Sequence, residues 1–101
     1  MVNGECQVVW TNRSLGQLKA AFDYIKKDSV KNAEKVVADI AAMVDKAARN
    51  PEIYSPDKYK VNNDGSYRAF EKHRLRISYR FANKVIRILR VRHTRMKPLM
   101  Y

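Results

Sequence analysis

The sequence is poor in the residues from which covalent staples and metal cages are made. Cys6 is the only cysteine in 101 residues, which excludes an internal disulfide and a cysteine-based metal cage. A chain held together without disulfides suits a reducing compartment. His73 and His93 are the only histidines, and no carboxylates pair at ligand spacing, so neither a metal nor another cofactor is expected. There is no glycine-rich phosphate loop and no serine nucleophile elbow. No apolar run approaches the ~18–20 residues of a membrane span. The opening MVNGECQVVW lacks a basic segment followed by a long apolar run, so no secretory leader is expected and the cytoplasm is the default location.

Acidic residues are also scarce, but only at one end. Residues 58–101 hold thirteen Lys and Arg against two acids, Asp64 and Glu71, while residues 1–57 hold eight of each sign. The whole net charge of +11 therefore lies in the last 44 residues. A neutral half joined to a strongly basic half suggests a surface that grips a polyanion: nucleic acid, an acidic protein or an anionic membrane. Disorder is excluded by the apolar content of 46%, which includes six Tyr, three Phe and a Trp. With 101 residues there is room for one domain around a single two-layer core.

The apolar spacing changes along the chain. Glu5 to Thr11 is β-prone and reads as a first strand. Asn12-Arg13-Ser14 offers turn chemistry and N-caps. Leu15, Leu18, Ala21, Phe22 and Ile25 follow at helical steps, ending near Lys27. Ser29 caps a second helix whose stripe runs from Ala33 through Val37, Ile40 and Val44 to Ala47, and Pro51 stops it. Residues 51–65 read as a loop. Beyond it the period becomes two: a strand at Tyr67–Glu71, a connection at Lys72–Arg74, a strand at Leu75–Phe81, a turn at Ala82-Asn83, and a last strand at Lys84–His93. The expected fold is α+β, in the order β-α-α-β-β-β, with a helical hairpin on one face of a small antiparallel sheet.

In the third strand Leu75, Ile77, Tyr79 and Phe81 alternate with Arg76, Ser78 and Arg80, so the two arginines should project from the face opposite the helices. Arg68, Lys72, Arg74, Arg90, Arg92 and Lys97 add to a basic surface. Guanidinium groups suit anion binding because the planar fork stays charged and can grip a phosphate with two bonds. His93, Arg95 and Tyr101 follow the last strand. With Arg76 they are the residue types needed to cut RNA without metal: groups that exchange a proton, and cations that hold charge on phosphorus. The basic residues lie on strands and not on an amphipathic helix, which argues against a membrane surface.

Several runs in this order resemble the RelE/ParE superfamily of type II toxin–antitoxin toxins. They are Val9-Trp10-Thr11, Tyr24-Ile25, Asn50-Pro51, Tyr67-Arg68, Leu75 through Phe81, and Val85 through His93. The resemblance implies a growth-inhibiting toxin of a plasmid-stabilisation type, with a small acidic antitoxin as partner. It leaves two targets open: mRNA on the ribosome, cut by RelE-type members, or DNA gyrase, poisoned by ParE-type members. The RelE pattern places Arg76 at the scissile region and keeps the Arg95 and Tyr101 spacing, but Leu75 and Phe70 depart from it. The ending from Arg92 to Pro98 is more similar to ParE-type tails. A non-toxic nucleic-acid-binding module is the alternative from charge alone. The antitoxin is expected to lay acidic side chains along Arg68, Arg76 and Arg80.

Overall fold

Thr11 starts the first helix, one residue ahead of the expected caps. The computed structural model describes residues 5–101; the first four, and with them part of the reading against a leader, lie outside it. In α1 (Asn12–Lys26) the Thr11 hydroxyl accepts the Ser14 amide at 3.1 Å, satisfying one of the helix's free N–H groups. The Ser14 hydroxyl donates back to the Thr11 carbonyl at 2.9 Å. In α2 (Val30–Arg49) Ser29 accepts from Asn32 at 3.0 Å, as expected of the cap. Asn50 is extended because the residue before a proline disfavours the helical region.

The four strands are β1 (Gln7–Trp10), β2 (Tyr67–Lys72), β3 (Leu75–Ala82) and β4 (Val85–His93), ordered β1-β4-β3-β2. Two tight turns join the last three. His73-Arg74 and Asn83-Lys84 have positive φ at both central residues (54° and 64°, 51° and 60°), which matches the twist of antiparallel neighbours. The second turn falls one residue beyond the expected Ala82-Asn83. The sheet is mixed: β1 runs parallel to β4, correcting the wholly antiparallel expectation. The intervening helical hairpin is the long crossover that a parallel pair requires.

The core lies between α2 and one sheet face. Ile40, Ile77, Tyr79, Ile86 and Ile88 are fully buried, each such aliphatic side chain contributing about 1.5–3 kcal/mol. The α2 stripe centres on Val36, Ile40 and Val44; Val37 is only half-buried. On α1, Leu18, Ala21 and Ile25 pack against the core while Leu15 stays 50% exposed. The Tyr79 hydroxyl donates to the Pro51 carbonyl at 2.7 Å, tying the start of the long loop to the sheet. Among the described residues no helix is long and apolar enough to cross a membrane.

Two departures from regularity shape the sheet face opposite the helices. Ser78 pairs with Arg90 but Tyr79 pairs with Ile88, so Leu89 is an extra residue bulged out of β4. The bulge reverses the alternation of β4, carrying Arg90 and Arg92 to the face opposite the helices. The loop before β2 also returns along that strand's outer edge. Asp57 N–H bonds the Tyr67 carbonyl at 2.8 Å, and Ala69 N–H the Ser55 carbonyl at 3.2 Å. This short pairing covers the edge and delivers Asp57 to the open face.

Candidate functional site

Cross-strand partners share a face, so the register sorts the arginines. Arg76 lies opposite Arg92, and Arg80 opposite Arg87, with Ser78 and Arg90 between them. Two arginine pairs directly across one strand junction cost stability through like-charge repulsion. Arg87, which the sequence reading passed over, thus belongs with the expected Arg80, Arg90 and Arg92.

Arg68 does not. It pairs with Tyr79 and lies on the helix side of the sheet. Its guanidinium donates to the Gly65 and Tyr54 carbonyls at 2.9 Å each, leaving the side chain 14% exposed. The expected surface of Arg68, Arg76 and Arg80 is therefore not one surface. Tyr67 and Phe70 point to opposite faces of β2, so its short apolar pattern could not reveal which way Arg68 turns.

Arg76 is on the open face but already paired. Its Nη2 meets Asp57 Oδ1 at 2.8 Å and its Nη1 meets Glu71 Oε2 at 2.9 Å, with the side chain 17% exposed. Burial would weaken the charge, but the two carboxylates outweigh it and hold the guanidinium above its ordinary pKa. Asp57 is fully buried and also accepts the Tyr101 hydroxyl on Oδ2 at 2.6 Å. Burial pushes its carboxyl up, but Tyr101, Arg76 and the Tyr59 amide together bring it below the usual carboxylate value. The Tyr101 phenol is pushed well above its ordinary value by burial and then by the Asp57 charge, so its proton stays on oxygen.

The segment after β4 crosses the open face and is held there. Tyr101 N–H bonds the Tyr59 carbonyl at 3.0 Å, and Val61 N–H bonds the Tyr101 carbonyl. The Tyr101 ring lies 4.2 Å from the Arg90 guanidinium and edge-on to Tyr67 at 6.0 Å, contacts worth about 1 kcal/mol each. Beneath this tail is a cavity of about 50 Å³, lined in part by Arg76, Arg90, Arg92, His93 and Tyr101. It has room for a few waters and not for a nucleotide. The Nε–H groups of Arg76 and Arg90 are buried beside it without a protein partner.

The remaining candidates are dispersed. His93 pairs across from Leu75, on the helix side, and its Nδ1 accepts the Arg95 amide at 3.1 Å. Arg95 and Arg74 line a second cleft between α1 and the ends of β3 and β4. Lys72 is exposed at the end of β2. Lys97 is exposed and its carbonyl takes Arg92 Nη2 at 3.2 Å. His73 makes a contact that no sequence pattern announced: its Nε2 lies 2.6 Å from Asp39 Oδ2, docking the β2–β3 turn against α2. Lys35 and His73 hold the Asp39 carboxyl down to about 2.

A helical hairpin over a mixed four-stranded sheet is the fold of the RelE/ParE superfamily toxins. Residues 8–98 match the model of the ParE toxin of the type II toxin–antitoxin system parDE, and the chain belongs to that family. It is similar in structure to a chain of the chromosomal ParDE toxin–antitoxin system of P. aeruginosa. That likeness has a TM-score of 0.68 at 21% identity and covers 90% of this chain and 98% of that one. A chain of the RelBE2 toxin–antitoxin complex of Mycobacterium tuberculosis matches with a TM-score of 0.53 at 17% identity, over 91% and 94%. No curated protein matches the sequence.

Proposed function

We propose that this toxin inhibits growth by binding DNA gyrase through its open arginine face, and that a cognate antitoxin neutralises it in the cytoplasm. The observation that carries the reading is the Tyr101–Asp57–Arg76 chain. RNA cleavage needs a proton donor and an uncommitted cation at one point. Here the Tyr101 proton is held by a buried carboxylate, and the Arg76 charge is matched by two acids. His93 and Arg95 sit towards the helix side. Arg80, Arg87 and Arg90 form no ion pair with a carboxylate among the described residues, and they suit docking on an acidic surface. Family membership and the two structural neighbours, both from toxin–antitoxin systems, support the toxin and its partner over a plain nucleic-acid-binding module.

A second reading, ribosome-dependent mRNA cleavage, rests on one fact: Arg76, His93 and Tyr101 line the same small cavity. Inducible expression with transcript ends and plasmid topology read from the same cells separates the two. Gyrase-linked DNA breaks with intact mRNA are expected. Ribosome-phased mRNA breaks would overturn the proposal.

A further inference from the structure

The small cavity beneath the tail has three local causes. Ser78 puts a small, buried side chain between Arg76 and Arg80 on the open face of β3. The Leu89 bulge turns Arg90, the cross-strand partner of Ser78, to the same face. The tail then roofs the space between them with Met96, Pro98, Leu99 and Tyr101.

Three arginines line this cavity, Arg76, Arg90 and Arg92, against two carboxylates, Asp57 and Glu71. Both carboxylates are taken by the Nη groups of Arg76. Arg92 turns one Nη to the Lys97 carbonyl. With His93 counted as neutral, one positive charge is left unmatched around about 50 Å³. The Nε–H groups of Arg76 and Arg90 are buried and have no acceptor among the described residues. A buried charged donor left unpaired costs its full desolvation, so such groups are matched wherever a partner fits.

We infer that this cavity binds one monovalent halide, chloride being the abundant one, held between the Nε–H groups of Arg76 and Arg90. A single acceptor without hydrogens takes both donors at once and needs no partner in return. A water accepting the same two bonds must place its own hydrogens, and it leaves the charge unmatched. Phosphate or sulfate brings more charge than the cavity lacks and sets oxygens against the apolar Met96, Pro98 and Leu99, where a polarisable halide is better suited. The volume exceeds the roughly 10–15 Å³ that one water-sized sphere needs, and a halide is only slightly larger. Arg76 lies on β3, Arg90 on β4 and the roof on the tail, so the ion joins all three, whatever the toxin's target. Halide binding and closure of the tail are then linked, because a ligand of the closed form alone stabilises it by mass action.

The test uses the full chain, with chloride and bromide as probes and gluconate as an anion too large to enter, at equal ionic strength and pH. The melting temperature should rise with chloride over gluconate and saturate below about 0.15 M, the physiological ionic strength. Exchange of the Tyr101 amide, which bonds the Tyr59 carbonyl, should slow over the same range. Crystals grown in bromide should show its anomalous signal beside both Nε atoms. Arg90→Met removes the donor and its charge, so halide affinity should fall about tenfold or more, the loss of one hydrogen bond to a charged group. Arg80→Met loses the same charge outside the cavity and should keep the parent's halide response. An Arg90→Met chain that responds to chloride as the parent does would reduce the effect to general salt dependence and overturn the site. Absence of the bromide signal under the tail would overturn it equally. A signal without saturable stabilisation would mean an adventitious ion only, and an equal response to phosphate would make the cavity an oxyanion site; either ends the halide assignment.

Discussion

Tyr101 donates its hydroxyl proton to Asp57 across 44 positions of sequence, at 2.6 Å, and Asp57 passes no hydrogen on. The carboxylate instead gathers donors: Tyr101 on one oxygen, Arg76 and the Tyr59 amide on the other. One buried acid thus joins the long loop, the third strand and the tail. It also explains how a strand with arginines opposite arginines is tolerated, since the Arg76 charge is matched from below while Arg80 and Arg87 remain unmatched.

Removing that acid should be costly. Asp57→Ala leaves Arg76 buried with Glu71 as its one carboxylate partner, and deleting one member of a buried ion pair costs about 3–5 kcal/mol. Because Glu71 persists, the lower end is expected. For a domain of this size that corresponds to a melting temperature lower by more than about 10 °C. A variant that melts within two degrees of the parent would show that the network is not structural.

The pH dependence has a definite sign. Asp57 titrates below its ordinary value in the folded chain, and Asp39 near 2. Such groups contribute in full above the unfolded aspartate value, about 3.9, and lose their contribution as pH falls through the depressed folded one. These two groups should leave stability level from neutrality to about pH 4 and lower it as the pH falls further, Asp57 contributing most because Asp39 is more open to solvent. Asp57→Asn should flatten that slope in urea melts taken at each pH. An equally steep slope in the variant would contradict the assignment.

Arg87 offers a separation of stability from function. Converting a like-charge cross-strand pair to an opposite one gains about 0.2–1 kcal/mol. Arg87→Glu should therefore raise the denaturation midpoint while abolishing growth inhibition. If the variant is more stable and fully toxic in colony counts, the arginine ladder is not the toxic surface.

Much of the fold was legible because it rests on periodicity. The change from helical to alternating spacing near residue 60 located the strands, and Ser29 and Pro51 bounded the second helix. The alternation from Leu75 to Phe81 assigned Arg76 and Arg80 to the open face. What stayed hidden depends on register between distant segments. Nothing local distinguishes a β1 that runs parallel to β4 from one that runs antiparallel. Leu89 reads as one more apolar residue in a central strand, yet as a bulge it decides the face of Arg90 and Arg92. Asp57 lies in a loop with no period, after Pro56, and only the folded chain shows that its carboxylate meets Arg76 and Tyr101.

The claim that this toxin binds its target and does not cut RNA is tested most directly by Tyr101→Phe. The substitution keeps the ring on Arg90 and Tyr67 and removes only the hydroxyl, at a cost of about 1.5–3 kcal/mol for a hydrogen bond to a charged group. Purified parent and variant would be added to gyrase with supercoiled plasmid, and to translating ribosomes with a defined mRNA. The expected result is that both proteins inhibit gyrase to a similar degree and leave the mRNA whole. Phased mRNA cleavage by the parent that falls by two orders of magnitude or more in Tyr101→Phe, with gyrase unaffected by either, would contradict the account.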